Sequence, residues 1–329
     1  MKDMLSMVKD FPKLLTMVHL DQTTQDTCKK LSADVLNGIL ITGMGGSAIA
    51  GLYVQGLLRE TAPVPILVNQ DYKLPECVDS KWVTIAVSYS GNTEETLAAF
   101  DEAIKRRSTP FVIGSGGQLH QRKKAAGKIS LPKDYQPRAV FPSIFSPLLN
   151  LVECLIGSEP TQLDSIGKNL EDRAEKWVES DLSPMNMAKD LRNMIPLFIG
   201  SRQLIPVAYR AKCQINENAK TMAFFNKIPE ANHNEIEGFV SDYSSEIIPI
   251  FLRSSYEDNR IRQRLDITAS IYENEGYSPI RLSMQSSNIV EEMLAMTFYL
   301  DWVSTELAGL RGVDSVSVER ISQLKERLK

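Results

Sequence analysis

The stretch that most constrains the fold begins where the apolar run Trp82–Val87 stops. A polar turn, Ser88-Tyr89-Ser90-Gly91-Asn92-Thr93, leads into Glu94-Glu95-Thr96-Leu97-Ala98-Ala99-Phe100. That order reads strand, tight turn, helix. Backbone N–H groups at a helix start have no intrahelical partner, and the helix dipole is positive there. Small hydroxyl side chains add donors without blocking an anion, so such a turn suits a phosphate. Serine and threonine are also ordinary helix caps. The turn alone does not separate a cap from a receptor.

The same device occurs earlier in the chain. Ile39–Thr42 reads as a buried strand, Gly43-Met44-Gly45-Gly46-Ser47 as a turn, and Ala48–Val54 as a helical run. The turn resembles the dinucleotide pattern, with Ala48 at the third glycine position. The acid expected on the next strand has no clear counterpart, since Asn69 and Gln70 follow Val68. A Walker GK[ST] signature is absent. In an open α/β sheet both turns lie at the carboxyl edge, where ligands bind. Ser47, Ser88, Ser90 and Thr93, with the backbone of Gly45 and Gly46, are therefore the candidate phosphate ligands.

Around these turns strands alternate with helices. Pro65–Val68, Pro110–Ile113 and the weaker Lys128–Leu131 read as further strands. Segments 3–18 and 24–36 read as helices. Residues 132–147 hold Pro132, Pro137, Pro142 and Pro147 around Arg138. They are expected to form an ordered loop, with Pro147 starting a helix over 148–157. A charged helix over 164–179 follows. The second half repeats the plan with strands at Ile195–Ser201, Glu246–Leu252 and Ser278–Leu282. Helices are expected over 205–220, up to Asn274, over 287–310 and over 315–328. The pattern predicts an α/β protein of two similar domains, 1–150 and 151–329, each a mainly parallel sheet flanked by helices. The first carries the phosphate-binding loops; the second supplies packing and reactive groups.

Composition narrows the function classes. The 329 residues are 43% apolar and 24% charged with net charge −4, an ordinary soluble balance without the basic footprint of a nucleic-acid partner. No apolar run reaches the ~18 residues of a membrane span. The start, Met1-Lys2-Asp3-Met4-Leu5, is unlike a signal peptide. Cys28, Cys77, Cys154 and Cys213 are scattered without a CxxC pair, which argues against a disulfide framework or a zinc site. A cytoplasmic protein with no metal and no cofactor is expected.

Ser88–Thr96 resembles the phosphosugar loop of sugar isomerase (SIS) domains. With Gly43–Ser47, Pro137-Arg138, Asn216-Glu217-Asn218 and His233-Asn234, it resembles the bifunctional phosphoglucose/phosphomannose isomerase family over nearly the whole chain. The resemblance implies two SIS domains in a homodimer. It also implies interconversion of glucose 6-phosphate, and of mannose 6-phosphate, with fructose 6-phosphate through a cis-enediolate. Such chemistry needs a base, a stabiliser of the enediolate and an acid/base to open the ring. Glu217, towards the end of a helix, is the candidate base, and partial burial would raise its pKa. His233 lies in a polar loop, and histidine as a residue type suits ring opening near neutrality. The resemblance implies that it serves the neighbouring subunit. Arg138, in its proline-stiffened loop, would stabilise the enediolate. Lys325 is similar to a C-terminal family lysine that assists ring opening. His19 and His120 carry no chemical signature. Phe224, Phe225 and Met284 read as core. A non-catalytic phosphosugar sensor would keep the hydroxyl cradle but need neither Glu217 nor His233. An amino-sugar synthase would carry an N-terminal glutaminase beginning with a cysteine, where this chain begins Met1-Lys2.

Overall fold

The computed structural model describes residues 2–31 and 36–328. Instead of one helix over 3–18, the chain starts with α1 (Met4–Lys9) and α2 (Phe11–Leu15). Pro12 has no N–H to offer the Val8 carbonyl, so it cannot extend α1, but it fits the first turn of α2. Next comes α3 (Gln22–Lys30), capped by the Asp21 side chain, which accepts from Thr24 N at 2.7 Å. Of the helix expected over 24–36, residues 32–35 lie outside the described residues.

The chain then runs β1 (Gly38–Thr42), α4 (Gly46–Leu58), β2 (Ile66–Asn69), β3 (Trp82–Val87), α5 (Glu94–Lys105), β4 (Thr109–Gly114), α6 (Gly117–Gln121) and β5 (Gly127–Ser130). The five strands form a parallel sheet in the order β2-β1-β3-β4-β5. Ile41 of β1 sits level with Val68 on one side and Ile85 on the other. β1 and β3 are buried along their whole length, as parallel strands covered on both faces require.

The prolines after β5 do not keep the chain out of a helix. α7 (Phe141–Leu155) holds Pro142 in its first turn and Pro147 in its interior. An interior proline costs ~3 kcal/mol. Against that, α7 buries nearly every side chain it carries, at ~1.5–3 kcal/mol for each large apolar one. Phe141 stacks on Phe145 with ring centroids 5.9 Å apart and meets Tyr53 of α4 edge-on at 4.9 Å. Packing thus overrides a local preference against helix.

The second half runs α8 (Leu163–Val178), α9 (Pro184–Leu191), β6 (Ile195–Ser201), α10 (Ile205–Ala219), β7 (Phe224–Ile228), β8 (Ile247–Arg253), α11 (Asn259–Asn274), β9 (Ile280–Ser283), α12 (Ile289–Arg311) and α13 (Glu319–Arg327). Its parallel sheet has the order β7-β6-β8-β9. By contacts the chain divides into Asp10–Asn169 and a second unit of Lys2–Lys9 with the chain from Leu170 onward. The first helix therefore belongs with the second unit, where Lys9 Nζ sits 4.6 Å above the Trp302 ring. Met284 is buried as expected. Phe224 and Phe225 are not: they lie on the edge strand β7, with Phe224 50% exposed.

Candidate active site

In the first unit, β1 and β3 are adjacent and the strand order reverses between them, so their two turns flank the switch point where open α/β sheets bind ligands. The turn from β1 to α4 crosses the end of β3: a Cβ on Gly43 would stand 2.8 Å from the Val87 carbonyl. Gly45 takes a positive φ of 53° and leads into α4, whose first N–H groups have no side-chain cap. Ser47, one residue into α4, is buried.

After β3, Ser88 Oγ lies 2.8 Å from Thr93 Oγ1 and accepts from Gly91 N at 3.1 Å. Ser90 is exposed, and its Oγ accepts from Asn92 N at 3.2 Å. Thr93 is the N-cap residue of α5 but makes no side-chain cap. The fold thus joins Ser88 and Thr93 directly, whereas Ser90 stands on the outer lip of the turn.

A third turn, which the sequence shows at the end of Pro110–Ile113 without indicating a role, supports the second. Gly114-Ser115-Gly116-Gly117 packs on the Ser88–Thr93 turn so closely that a Cβ on Gly91 would collide with the Gly116 carbonyl. A Cβ on Gly117 would collide with that of Ser90. Leu119 N donates to the Gly91 carbonyl at 2.9 Å, Gln118 N to Asn92 Oδ1 at 3.0 Å, and Ser115 Oγ to the Tyr89 carbonyl at 2.6 Å. The available signal was a third glycine-rich turn at a strand end. His120 lies against Gly114, and burial lowers its pKa.

The proline-rich loop completes this edge. Tyr135 N donates to Tyr89 OH at 3.2 Å, and Tyr135 OH donates to Asp10 Oδ2 at 2.9 Å. The Pro137 carbonyl lies 3.7 Å from where a Gly46 Cβ would be. Arg138, buried, therefore follows directly on the residue that faces the α4 N-terminus.

In the second unit Glu217 occupies the last turn of α10 and is half-buried. Much of its surroundings is rigid. Arg210, one face of α10, grips Asp301 of α12 with Nε–Oδ1 at 3.1 Å and Nη2–Oδ2 at 2.6 Å, both side chains buried. Burial pushes the Asp301 carboxyl up while the guanidinium pulls it back. Asn218 Nδ2 donates to Ser304 Oγ at 2.9 Å, and Asn216 Nδ2 to the Thr221 carbonyl at 2.8 Å. The asparagines beside Glu217 are thus committed to holding the helix end. Lys220 ends α10 in the left-handed conformation, and its Nζ donates to the Glu217 carbonyl at 2.5 Å and to that of Ser317 at 2.7 Å. Nothing in the sequence around Lys220 signals this role. One turn before Glu217, burial raises the Cys213 thiol, with the Glu217 charge adding to the shift.

His233 is exposed on a loop of short 3-10 turns, Glu230–His233 and Glu235–Gly238. The loop is strapped down on both sides of it. Asn232 Nδ2 donates to Thr268 Oγ1 of α11 at 2.7 Å, and Asn226 of β7 donates to the Glu235 carboxylate. Burial raises the Glu235 pKa. Lys325 is exposed on α13, which buries none of its residues.

The carboxyl edge of the second sheet is occupied by the chain itself. Glu292, in the first turn of α12, is fully buried; its carboxylate accepts from Ser254 Oγ and, at 2.8 Å, from Ser255 N. Glu257 Oε1 accepts from Ser254 N at 2.8 Å and pairs with Arg253. Among the described residues, no three His, Cys, Asp or Glu side chains cluster as a metal site would need, and no helix is long and apolar enough to cross a membrane.

Residues 182–328 match the family model described as the bacterial phospho-glucose isomerase C-terminal SIS domain. A bifunctional phosphoglucose/phosphomannose isomerase of Aquifex aeolicus is 34% identical over 309 residues, spanning 93% of this chain and 94% of the relative. A D-glucosamine-6-phosphate 4-epimerase of Sulfolobus acidocaldarius is 34% identical over 289 residues, or 87% of each chain. Among solved structures, the C-terminal domain of glucosamine-fructose-6-phosphate aminotransferase from Francisella tularensis superposes with a TM-score of 0.73 at 15% identity, covering 96% of this chain and 98% of that one. At that identity the likeness establishes the fold, a pair of SIS-type sheets.

Proposed function

The chain belongs to the bifunctional phosphoglucose/phosphomannose isomerase family, and from that premise we propose that it interconverts glucose 6-phosphate and mannose 6-phosphate with fructose 6-phosphate. The observation that carries this reading is the end-to-end alignment with a relative of that name, together with a hydroxyl-lined turn at the switch point of a parallel sheet. The first domain, 1–150, holds the phosphate through the Gly45 and Gly46 backbone and the hydroxyls of Ser47, Ser88, Ser90 and Thr93. Two uncapped helix starts, α4 and α5, favour the dianion electrostatically. The second domain, 151–329, supplies Glu217, which moves the proton between C2 and C1. Arg138 balances the oxyanion of the cis-enediolate. Lys325 and the partner subunit's His233 open the ring. The enediolate is planar at C2, so both aldose epimers converge on one intermediate.

A homodimer of the cytoplasm fits these roles. Met222, Phe224 and Phe225 expose apolar surface on and beside the edge strand β7, and the four cysteines are free thiols. The exposure of His233 suits a group that works outside its own chain. A second reading, epimerisation of an amino-sugar phosphate, is favoured by the Sulfolobus relative and would use the same cradle.

Coupled assays with glucose 6-phosphate, mannose 6-phosphate and glucosamine 6-phosphate test the choice. Turnover of the first two to fructose 6-phosphate is expected. Turnover of glucosamine 6-phosphate alone overturns the isomerase reading, and glucose 6-phosphate alone overturns the dual specificity. Mixing inactive Glu217→Gln and His233→Asn proteins, after dissociation and reassembly, is expected to restore activity. No recovery from verified mixed dimers returns His233 to its own chain.

A further inference from the structure

We propose that Cys28 and Cys154 are a redox-linkable pair, closing a disulfide between α3 and α7 when the protein meets a small-molecule disulfide and opening again under reduction. The two cysteines are far apart in sequence but belong to one unit, in helices that pack together. The Cys154 side chain lies close enough to Cys28 to raise its thiol further. Cys154 Sγ also lies 3.9 Å from the Gln25 carbonyl oxygen, and Gln25 precedes Cys28 by three residues, so the two share a helix face. Closing such a contact to a disulfide requires the sulfurs to reach ~2 Å.

The two thiols are unequal, and this sets the order of events. Cys154 is partly exposed at the last turn of α7, whereas Cys28 is fully buried. Burial raises the Cys28 thiol far above its ordinary value, so it is a poor first nucleophile. The Cys154 thiolate attacks one sulfur of a disulfide such as oxidised glutathione, forming a mixed disulfide and releasing one thiolate. That thiolate takes the Cys28 proton. The Cys28 sulfur then attacks Cys154 Sγ, the bond to the glutathionyl group breaks, and a second thiolate leaves and is protonated. Two protein thiols become one disulfide, and one small disulfide becomes two thiols. Cys77 is exposed and Cys213 lies in the other unit, so neither competes for the same partner.

The position gives the link a consequence for the phosphate edge. α3 leads towards β1, whose end carries the Gly43–Ser47 turn, and α7 starts directly after the loop that holds Arg138. A bond between the two helices closes a long loop in the unfolded chain, which favours the folded state.

The test uses the full chain with Cys77→Ser and Cys213→Ser, incubated folded with oxidised glutathione. Expected are loss of two titratable thiols, a cross-linked Cys28–Cys154 peptide by mass spectrometry, and a Tm higher by several degrees that dithiothreitol reverses. A further Cys154→Ser change should abolish all three. A stable glutathione adduct on Cys154 with Cys28 still free overturns the pair, as does a link that forms only in denaturant. A link that leaves Tm unchanged overturns its bracing role.

Discussion

Between β1 and β3 the turns that leave the sheet carry Gly45, Ser88, Gly91 and Thr93. At the corresponding place between β6 and β8 stand Ser201-Arg202-Gln203 and Ser254-Ser255-Tyr256-Glu257. The backbone devices are related. Gly45 has φ 53° and Arg202 has φ 46°, each just past the first strand of its pair. At Arg202 the left-handed conformation costs ~1–2 kcal/mol that glycine does not incur, and its side chain reaches towards Asp258 at 3.6 Å. What differs is who uses the donors. In the first unit the helix starts of α4 and α5 are left without side-chain caps. In the second, Ser254 and Ser255 already donate to Glu292, while Ser254 N donates to Glu257. In the turn after β8 an internal carboxylate accepts from these donors. One fold thus leaves the helix starts of α4 and α5 without side-chain caps and, in the turn after β8, fills the donors with its own acid.

If this division of labour holds, changes on the two sides should differ in kind. The largest effect is expected from Glu217→Gln. Losing a positioned base should lower kcat about 10²–10⁴-fold, with KM and Tm near wild type in steady-state and thermal-melt measurements. A rise in KM, and so a fall in kcat/KM, without loss of kcat would remove Glu217 from proton transfer. Glu292→Ala should act on stability, because two donors lose a buried acceptor at ~1–3 kcal/mol each, while KM stays unchanged. Inorganic phosphate is expected to raise the Tm of this variant more than that of wild type. Equal shifts would break the equivalence between carboxylate and anion.

Ser88→Ala should show the reverse pattern. One hydrogen bond to a charged group, ~1.5–3 kcal/mol, predicts a KM raised about tenfold or more with kcat nearly kept, read from initial rates. The smallest effect concerns Glu235. Its folded pKa is raised by burial, so at pH values between its unfolded and folded pKa the folded state holds a proton the unfolded chain has released. Stability should fall as pH rises through that interval and level off above it. Glu235→Gln should flatten that part of the Tm–pH profile; an unchanged slope would assign it to other groups.

Local pattern exposed much of this. The alternation of apolar runs with Gly/Ser turns marked β1, β3, β4, β6 and β8 and the helices after them, because each strand and turn is written in neighbouring residues. The failures were nonlocal. Pro147 sits inside α7 because the helix is packed almost all round, and burial outweighs the lost hydrogen bond. β7 was missed, and its Phe224 and Phe225 misjudged as core, because an edge strand can leave apolar side chains uncovered.

By itself, the sequence determined that this chain would build parallel sheets, and where hydroxyls and glycines would meet helix starts. It also picked out Glu217, His233 and Arg138 as residues to ask about. Tertiary structure alone decided which turns become neighbours. The order β2-β1-β3 puts the Gly43–Ser47 and Ser88–Thr93 turns side by side, and packing sets Gly116 against Gly91 with no room for a side chain. It also decided that Glu292, far along the chain from Ser254, would seal the second edge. A strand, a turn and a cap follow from residues within a few positions of each other. A receptor depends on donors from separate segments, and on whether a distant carboxylate reaches them first.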